Sequence, residues 1–578
     1  METKIETLTF ALIILFPLNM IASTYSIEAV NSRDTLSHEV LDMYNEIILK
    51  PEVIYGDIAY IDIETLVHAD TLFFYFDNKQ ITLNDVYRNS NDNYSYIHYV
   101  STDLETHAFF SIYENYIIQA DLRTSSEKYH ITSIAKTQVA IVKYESETLN
   151  EPEYNLISYN NNSDNESNTD VESIVPNSTP IIRVLFLYTT SSLSMMSYPY
   201  NENMKIEAYR YINEANESFI NSNINVHLEL AYLGQSNYNE SSYSWDDILN
   251  HFSTQNDGHI DEVHALRDKY DADICVLMVN KSVGICGEAR TIKANANTAF
   301  SIIWPCYYNC GWRFSAIHEI GHLIGCRHNR TMDNSSSPYV YGHGYINCNI
   351  VSPAASWCTI MSYESSCSAN PNRILYWSNP DIYYNGIATG TTTYENNARV
   401  WNERAGTVSE FRTKENSINI TTTNINTNAL YESYEASTNV LVGSGYEVQS
   451  GQVVDIAAGT EIRITANTHI KSGSKFRASI RNNADDSNYP QFITQKEITI
   501  SDSALNSKSA ISINIINHHL IIHSPQTIQS IRIYNITGQC VMQTWQTDID
   551  VSSLSAGVYI VVATTSDGIS QQSKFIHL

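Results

Sequence analysis

The chain has 578 residues, enough for roughly three to five domains. Its hydrophobic fraction of 43% and its charged fraction of 17% are ordinary for globular domains. The formal net charge of −29 argues against nucleic acid and against anionic membrane surfaces as partners, and it is compatible with a soluble extracellular protein.

Residues 1–23 have the pattern of a secretory signal peptide. Lys4 provides a weakly basic start, the run Leu8–Ile21 is apolar, and the small residues Ala22 and Ser23 lie near a plausible cleavage point. An uncleaved membrane anchor is the alternative, but the run is short for a transmembrane helix. No other apolar run approaches membrane length, so we expect no membrane span in the mature form.

Residues 24–157 predict a β-rich domain with one helix near 35–49. The short alternating or apolar runs that predict strands are 53–55, 71–76, 108–112 and 138–142. The position of this region, after an export signal and before the domain described next, is typical of a propeptide. Residues 158–180 are rich in Asn, Ser, Asp and Glu and poor in apolar residues, which predicts a linker and a natural cleavage zone.

In the region 181–414 the pattern changes to alternating strands and helices. Strands are predicted over 181–188, 225–232, 272–279 and 299–304, and helices over 204–224, 261–269, 314–324 and 398–411. The first helix carries an apolar stripe of Ile206, Tyr209, Ile212 and Ala215, which marks its buried face. We expect the last strand to form the sheet edge above a cleft. The alternation predicts an α/β domain.

The most informative stretch is HEIGHLIGCRH, which matches the pattern H-E-x-x-H-x-x-G-x-x-H at every fixed position. On a helix, residues i and i+4 lie on one face, so His318 and His322 can direct ring nitrogens at one metal ion. Glu319 can then reach a water molecule on that metal. Two such histidines can also form an ordinary polar helix face, but the complete pattern argues against that interpretation.

The end of this stretch predicts how a third ligand arrives. Gly325 allows the chain to leave the helix with an unusual backbone angle, after which His328 can turn back towards the metal. Three protein ligands leave one coordination position open, which is typical of a catalytic rather than a structural zinc site.

The stretch resembles the zinc helix of the metzincin metalloendopeptidases. That family also has a methionine turn below the metal, and the sequence TIMSY at 359–363 matches it, with Met361 as the floor of the site. The cysteines around the site, together with Trp377-Ser378-Asn379-Pro380, resemble the adamalysin (reprolysin-like) branch. The resemblance implies a twisted mixed sheet with the zinc helix and a small C-terminal subdomain, within a multidomain chain.

The same resemblance implies an activity. It predicts hydrolysis of internal peptide bonds of protein or peptide substrates, with one catalytic Zn2+ and with Glu319 as the general base. Tyr363 either donates a hydrogen bond to the developing oxyanion or has a structural role. Ca2+ is a further candidate cofactor, although no loop in the sequence is diagnostic of it.

The cysteines bear on latency and on disulfide bonding. The region 24–157 has none, so a propeptide thiolate cannot cap the metal, and our hypothesis is that a carboxylate does so. Eight of the nine cysteines fall between Cys275 and Cys367, which predicts disulfide bonds in an exported chain. A second zinc site is the alternative, although paired C-x-x-C motifs are missing. We expect the remaining Cys540 to be a buried free thiol.

Two β-rich segments follow. Residues 415–500 contain short strand-like pieces separated by Gly and Ser, which resemble a β-solenoid, and a generic β-sandwich is the alternative. The order of strands and turns in 509–578 resembles the C-terminal sorting domain of substrates of the bacterial type IX secretion system. That resemblance implies secretion machinery as a partner. The alternative for 509–578 is a β-sandwich binding module.

Together these features predict a zinc metalloendopeptidase that is made as a zymogen by a bacterium and is secreted or held at the cell surface. The competing function is a non-enzymatic surface adhesin with a degenerate protease domain. An intact Glu319 argues against the adhesin, because a binding protein needs no general base.

Overall fold

The computed structural model describes most of the chain. The described ranges are 24–30, 36–50, 53–77, 79–91, 94–102, 105–114, 116–124, 127–144, 179–196, 203–281, 285–305, 310, 314–352, 355–369, 371–481, 512–516, 519–523, 528–535, 540–551, 554, 557–565 and 570–577. The predicted signal peptide and most of the predicted linker lie outside these ranges. The chain divides into two compact units, Met1–Ile493 and Thr494–Leu578. In the described ranges no helix is long and apolar enough to cross a membrane.

The N-terminal region folds into one large sheet. Its elements are β1 (Thr24–Glu28), α1 (His38–Ile48), β2 (Val53–Tyr60), α2 (Ile63–Leu66), β3 (Thr71–Phe76), β4 (Lys79–Asn91), β5 (Tyr94–Val100), β6 (His107–Tyr113), β7 (Ile117–Arg123), β8 (Lys128–Ala135) and β9 (Gln138–Tyr144). As far as the structure is described, nine strands pair in the order β1-β3-β4-β5-β6-β7-β8-β9-β2, and we call them the N-terminal sheet. The predicted helix and all of the predicted strands are confirmed.

Alternation explains why these runs become strands. In β3, Leu72, Phe74 and Phe76 are buried on one face, whereas Phe73 and Tyr75 between them are more exposed. A strand of period two therefore supplies one apolar face to the core of the sheet. Helix α1 begins at Ser37, whose side chain accepts a hydrogen bond from the Val40 N–H.

The α/β region follows the predicted order. Its elements are β10 (Ile181–Thr189), α3 (Thr190–Met196), α4 (Asn203–Asn221), β11 (His227–Ser236), α5 (Trp245–Ser253), α6 (Glu262–Lys269), β12 (Ile274–Met278), β13 (Gly287–Ala289), β14 (Phe300–Ile303), α7 (Ser315–Ile324), β15 (Ile346–Asn347), β16 (Trp357–Cys358), β17 (Asn372–Arg373), β18 (Tyr383–Tyr384), β19 (Ile387–Ala388) and α8 (Asn397–Val408), with a 3-10 turn at Glu364–Ser366. The predicted strands and helices are confirmed, and helices α3 and α5 were not predicted.

The main sheet is mixed. Strands β11, β10, β12 and β14 lie side by side and are parallel, and β13 pairs antiparallel with the outer side of β14. The prediction that 299–304 forms the sheet edge is therefore wrong, because β13 is the edge strand. Its three residues, Gly287–Ala289, are too few to give a periodic signal in the sequence.

Eight further strands follow. They are β20 (Ser417–Ile420), β21 (Ala429–Ala436), β22 (Asn439–Val442), β23 (Glu447–Val448), β24 (Val453–Ala458), β25 (Glu461–Ile464), β26 (His469–Ile470) and β27 (Lys475–Ile480), with a 3-10 turn at Thr422–Asn424 between β20 and β21. Of these, β21, β24 and β27 continue the main sheet, while β20, β22 and β25 form a second sheet and β23 and β26 a third. Each of the eight strands pairs in parallel with a strand 22 residues earlier or later in the chain, as Ser417 with Asn439 and Asn439 with Glu461. Stacked parallel strands at a regular spacing are the arrangement that the solenoid interpretation predicts. Strand β21 also pairs antiparallel with β11, so the solenoid extends the α/β sheet rather than standing apart.

The cysteine prediction is confirmed in part. Cys286 is bonded to Cys310 and Cys348 to Cys367, with S–S distances of 2.13 and 2.03 Å. Cys275, by contrast, is a buried free thiol in the core. The prediction for Cys540 is wrong: in the second unit its thiol is free but exposed. Among the described residues only one group of side chains could hold a metal, so the alternative of a second zinc site gains no support.

The second unit contains two antiparallel sheets. Its strands are β28 (Ser512–Ile516), β29 (His519–His523), β30 (Ile528–Asn535), β31 (Cys540–Thr544), β32 (Asp548–Asp550), β33 (Gly557–Thr565) and β34 (Ser570–His577). The described strands pair as β28-β29-β32 and as β31-β30-β33-β34. Side chains of both sheets, including Leu520, Ile533 and Val561, form one buried core.

The N-terminal sheet packs on helix α4 of the α/β region. The Tyr96 hydroxyl donates to Glu217 at 3.0 Å, and the ring of His98 contacts the other carboxylate oxygen of Glu217. Asn89 donates to Asn213 at 2.6 Å. This interface is therefore polar as well as buried.

Candidate active site

Helix α7 carries the motif, and all of its residues are buried. It starts after Phe314, whose backbone is left-handed with φ of 54°. Ile317, Ile320 and Leu323 pack into the hydrophobic core, which turns the opposite face of the helix towards the site. His318 and His322 lie one turn apart on that face.

The structure brings the three predicted histidines together. The Nε2 atom of His328 lies 3.2 Å from Nε2 of His318 and 2.9 Å from Nε2 of His322. The Nδ1 atoms of His318 and His322 face the carbonyl oxygens of Ile360 and Cys326 at 2.8 and 2.9 Å. These carbonyls fix Nδ1 as the protonated nitrogen and leave the Nε2 lone pairs for a metal.

Gly325 makes the return of His328 feasible. Its φ is 128°, a backbone angle that residues other than glycine rarely adopt. A Cβ atom at this position would lie 2.8 Å from the Tyr339 ring. Beyond it, His343 donates from Nδ1 to the backbone carbonyl of His328 at 2.7 Å. The loop that carries the third histidine is thus anchored at both ends.

The donor set fits zinc. The ligand atoms of the three histidines lie within 4.8 Å of one another, and in the described part of the chain no carboxylate or thiol joins them. Burial lowers the pKa of His322 to about 4, and burial together with the neighbouring imidazoles lowers the pKa of His328 well below its usual range. Neutral imidazoles are the form that binds a metal. No corresponding group supports Ca2+ among the described residues.

Glu319 lies beside the histidines and is 3% exposed. Its Oε2 atom has no hydrogen-bond partner among the described residues. Burial raises the pKa of the Glu319 carboxyl well above its usual range, Glu288 adds to that, and Arg373 opposes it. A buried carboxylate oxygen without a partner is costly unless a ligand, water or metal centre satisfies it. Gly287 of the edge strand leaves room for this side chain, since a Cβ there would lie 2.6 Å from Cγ of Glu319.

Met361 lies directly against the motif helix, as predicted for the floor of the site. It is fully buried, and a Cβ on Gly321 would meet its Sδ atom and the Trp377 ring at 2.8 Å each. Trp377 is held by a 2.8 Å hydrogen bond from Nε1 to Ser218 on α4. The motif alone does not reveal the importance of Gly321, because the close contact that this glycine permits is with residues distant in sequence.

Tyr363 lies next to the third histidine. Its ring centroid is 4.2 Å from that of His328, and its backbone N–H donates to Asn329 at 2.9 Å. The side chain is 5% exposed. The position is compatible with either predicted role of this tyrosine.

Arg373 is a second residue that the sequence did not single out. It is buried in the segment after the methionine turn and donates from Nη2 to the Ser362 carbonyl at 2.7 Å. Its Nε atom lies 3.9 Å from a carboxylate oxygen of Glu364. The positive charge of Arg373 acts to lower the pKa of both Glu319 and His328.

Comparison with known sequences identifies two regions. A family model described as metallo-peptidase family M12 matches residues 178–378, and one described as a secretion system C-terminal sorting domain matches residues 507–577. The second match indicates export through the type IX secretion system.

Several curated relatives carry the name peptidyl-Asp metalloendopeptidase. Those from Stenotrophomonas maltophilia (strain K279a) and Xanthomonas campestris pv. campestris are each 38% identical, over 40% of this chain and 52% of their own length. The relative from Pseudomonas fragi is 34% identical over 30% of this chain and 85% of its own length. The chain therefore spans about half the length of the first two relatives and most of the third.

Proposed function

The chain belongs to metallopeptidase family M12, and we propose that it is a metzincin-type zinc endopeptidase that hydrolyses internal peptide bonds of proteins. One observation carries the proposal: three buried Nε2 atoms converge beside the carboxylate oxygen of Glu319, which has no partner among the described residues. A surface adhesin would have no use for this arrangement.

Each residue of the site has its own role in the proposed hydrolysis. His318, His322 and His328 would hold one Zn2+, which activates a water molecule and polarises the scissile carbonyl. Glu319 takes the proton of the attacking water and delivers it to the leaving amine. Tyr363 donates a hydrogen bond to the carbonyl oxygen as negative charge develops there. The closely packed Met361 and Trp377 keep the motif helix in position beneath these groups.

The substrate class follows from the relatives. Because they are named peptidyl-Asp metalloendopeptidases, we propose that this chain also cleaves next to aspartyl residues. The N-terminal sheet would be the propeptide of a zymogen. Among the described residues no carboxylate of that sheet joins the ligand atoms, so the hypothesis of a carboxylate that caps the metal stays a prediction for the rest of the chain.

The experiment that tests this function is digestion of an unfolded protein by the purified secreted protein, with metal analysis of the same sample. We expect about one zinc per chain, new peptide termini next to aspartate, loss of cleavage in a chelator, and recovery when zinc is restored. A protein that holds no zinc, or that cleaves nothing when loaded with zinc, would contradict the proposal.

Removing residues 509–578 is expected to abolish release of the protein from the cell. This segment coincides with the sorting-domain match, and the second unit has its own hydrophobic core, so its removal need not disturb the first unit. The measurement is the fraction of protein in the medium and at the cell surface, by immunoblot.

The matched control for this deletion is the full-length E319Q variant, which keeps the sorting segment but is expected to be inactive. Its normal release would show that activity is not needed for export. Unchanged release of the truncated chain would instead assign residues 509–578 to the alternative, a binding module.

A further inference from the structure

A cavity lies between the N-terminal sheet and the segment that follows the methionine turn. Its ionisable lining is predominantly basic: Arg123, His107 and Lys128 come from the N-terminal sheet and Arg373 from the α/β region. Glu105 is the acidic side chain among the described lining residues. The charge balance of the cavity suits an anionic group.

Arg123 contributes a buried positive charge to the cavity. Its side chain is 9% exposed, and its guanidinium carbon lies 4.9 and 4.8 Å from the ring centroids of Phe109 and Phe314. Its Nε and Nη2 atoms have no hydrogen-bond partner among the described residues. An anion that entered the cavity would accept hydrogen bonds from these two atoms.

Arg373 connects the cavity to the hydrolytic centre. It lines the cavity, and its bond to the Ser362 carbonyl at 2.7 Å ties it to the methionine turn. The aromatic N-cap of the motif helix, Phe314, lines the same cavity. Because Ser362 lies between Met361 and Tyr363 in the chain, the bond to its carbonyl places Arg373 beside the methionine turn as well as on the cavity wall.

We propose that Arg373 is the specificity-determining residue of this enzyme and that it binds the side-chain carboxylate of the aspartyl residue next to the cleaved bond. The inference rests on the proposed function. A guanidinium matches a carboxylate in a bidentate geometry that a neutral amide side chain cannot reproduce. Arg123 adds a second cation to the cavity while the N-terminal sheet is docked, whereas Arg373 belongs to the α/β region itself.

The test compares kcat/KM of the zinc-loaded secreted protein on two peptides that differ only in Asp or Asn at one position. We expect the wild type to favour Asp by about 10- to 100-fold, the range for a hydrogen bond to a charged group in a buried site. In R373Q the Asp-to-Asn ratio should fall to near one. R373K keeps the positive charge but not the planar guanidinium group, so its Asp-to-Asn ratio should be intermediate. R399Q, at an exposed arginine of α8, is the matched control and should keep the wild-type ratio.

The outcomes separate the inference from the proposed function. A wild type that favours Asp, with R373Q retaining that preference or losing activity equally on both peptides, overturns the role of Arg373 and leaves the proposed function standing. A wild type without Asp preference also overturns it. A wild type that cleaves neither peptide overturns both proposals. Zinc content and thermal unfolding establish that each variant is folded. If R373Q is not folded, the Asp-to-Asn ratio of R373K is the measurement that tests the inference.

Discussion

Glutamine in place of Glu319 is expected to stop peptide hydrolysis while the protein still binds one zinc ion per chain. The substitution preserves the size of the side chain and removes only its ability to accept a proton. General base catalysis contributes about 10²- to 10⁴-fold, and we expect a loss near the upper end because Oε2 is buried and has no alternative partner among the described residues. The measurements are kcat on one fluorogenic peptide and zinc content by mass spectrometry.

Two variants control this experiment. E410Q changes an exposed glutamate just beyond α8 and should leave both kcat and zinc content at wild-type values. E319D keeps a proton acceptor but shortens its reach by one methylene, so it should retain more activity than E319Q. A kcat for E319Q within tenfold of the wild type would defeat the assignment of Glu319 as general base. Loss of zinc would assign it to metal binding instead.

The motif allowed the cluster of three histidines to be predicted because its information is local. The spacing of His318 and His322 depends only on helix geometry, and Gly325 signals the turn that brings back His328. Gly321 and Arg373 could not be predicted in this way. Their importance comes from contacts with Met361, Trp377 and the cavity wall, which depend on the folded chain rather than on spacing.

The fold shows the same division between local and distant information. Strands of the N-terminal sheet and the helices α4 and α7 were predicted because their apolar residues recur at regular intervals. Helix α5 was missed although Ser244 and Asp247 form a capping box at its start, a signal that is readable in the sequence. The continuation of β11 into β21 could not be predicted, because no local pattern encodes which sheet edge a distant strand will join.

Helix α4 has a buried charged face that its sequence does not predict. Its apolar stripe predicts a helix with one buried and one solvated side, yet the ionisable residues Glu207, Arg210, Glu214 and Glu217 are each at most 3% exposed. Arg210 is paired with Glu207 and Glu214 at 2.7 and 2.8 Å, beneath the N-terminal sheet. Interfaces that can separate are more polar than permanent cores. A charged second face on α4 is therefore the property expected if the N-terminal sheet is a removable propeptide.

Alanine in place of His328 is expected to release zinc without unfolding the protein. Two imidazoles remain on the helix. Loss of a hydrogen bond that supports a metal ligand lowers metal affinity by about 10- to 100-fold, and we expect loss of the ligand itself to lower zinc affinity by more than that. The loop itself should stay in place, since His343 holds the backbone carbonyl of residue 328 rather than its side chain. The measurements are zinc affinity by competition with a chromogenic chelator and Tm with and without zinc.

Zinc should raise the Tm of the wild type, because a ligand that binds only the folded state stabilises it by mass action, and this increase should disappear in H328A. The metal-free Tm of the two proteins should differ little, which distinguishes a lost ligand from a damaged fold. H469A, at an exposed histidine of the solenoid strand β26, is the matched control and should bind zinc as the wild type does. An H328A protein that keeps one zinc at wild-type affinity would mean that the third ligand comes from another part of the chain.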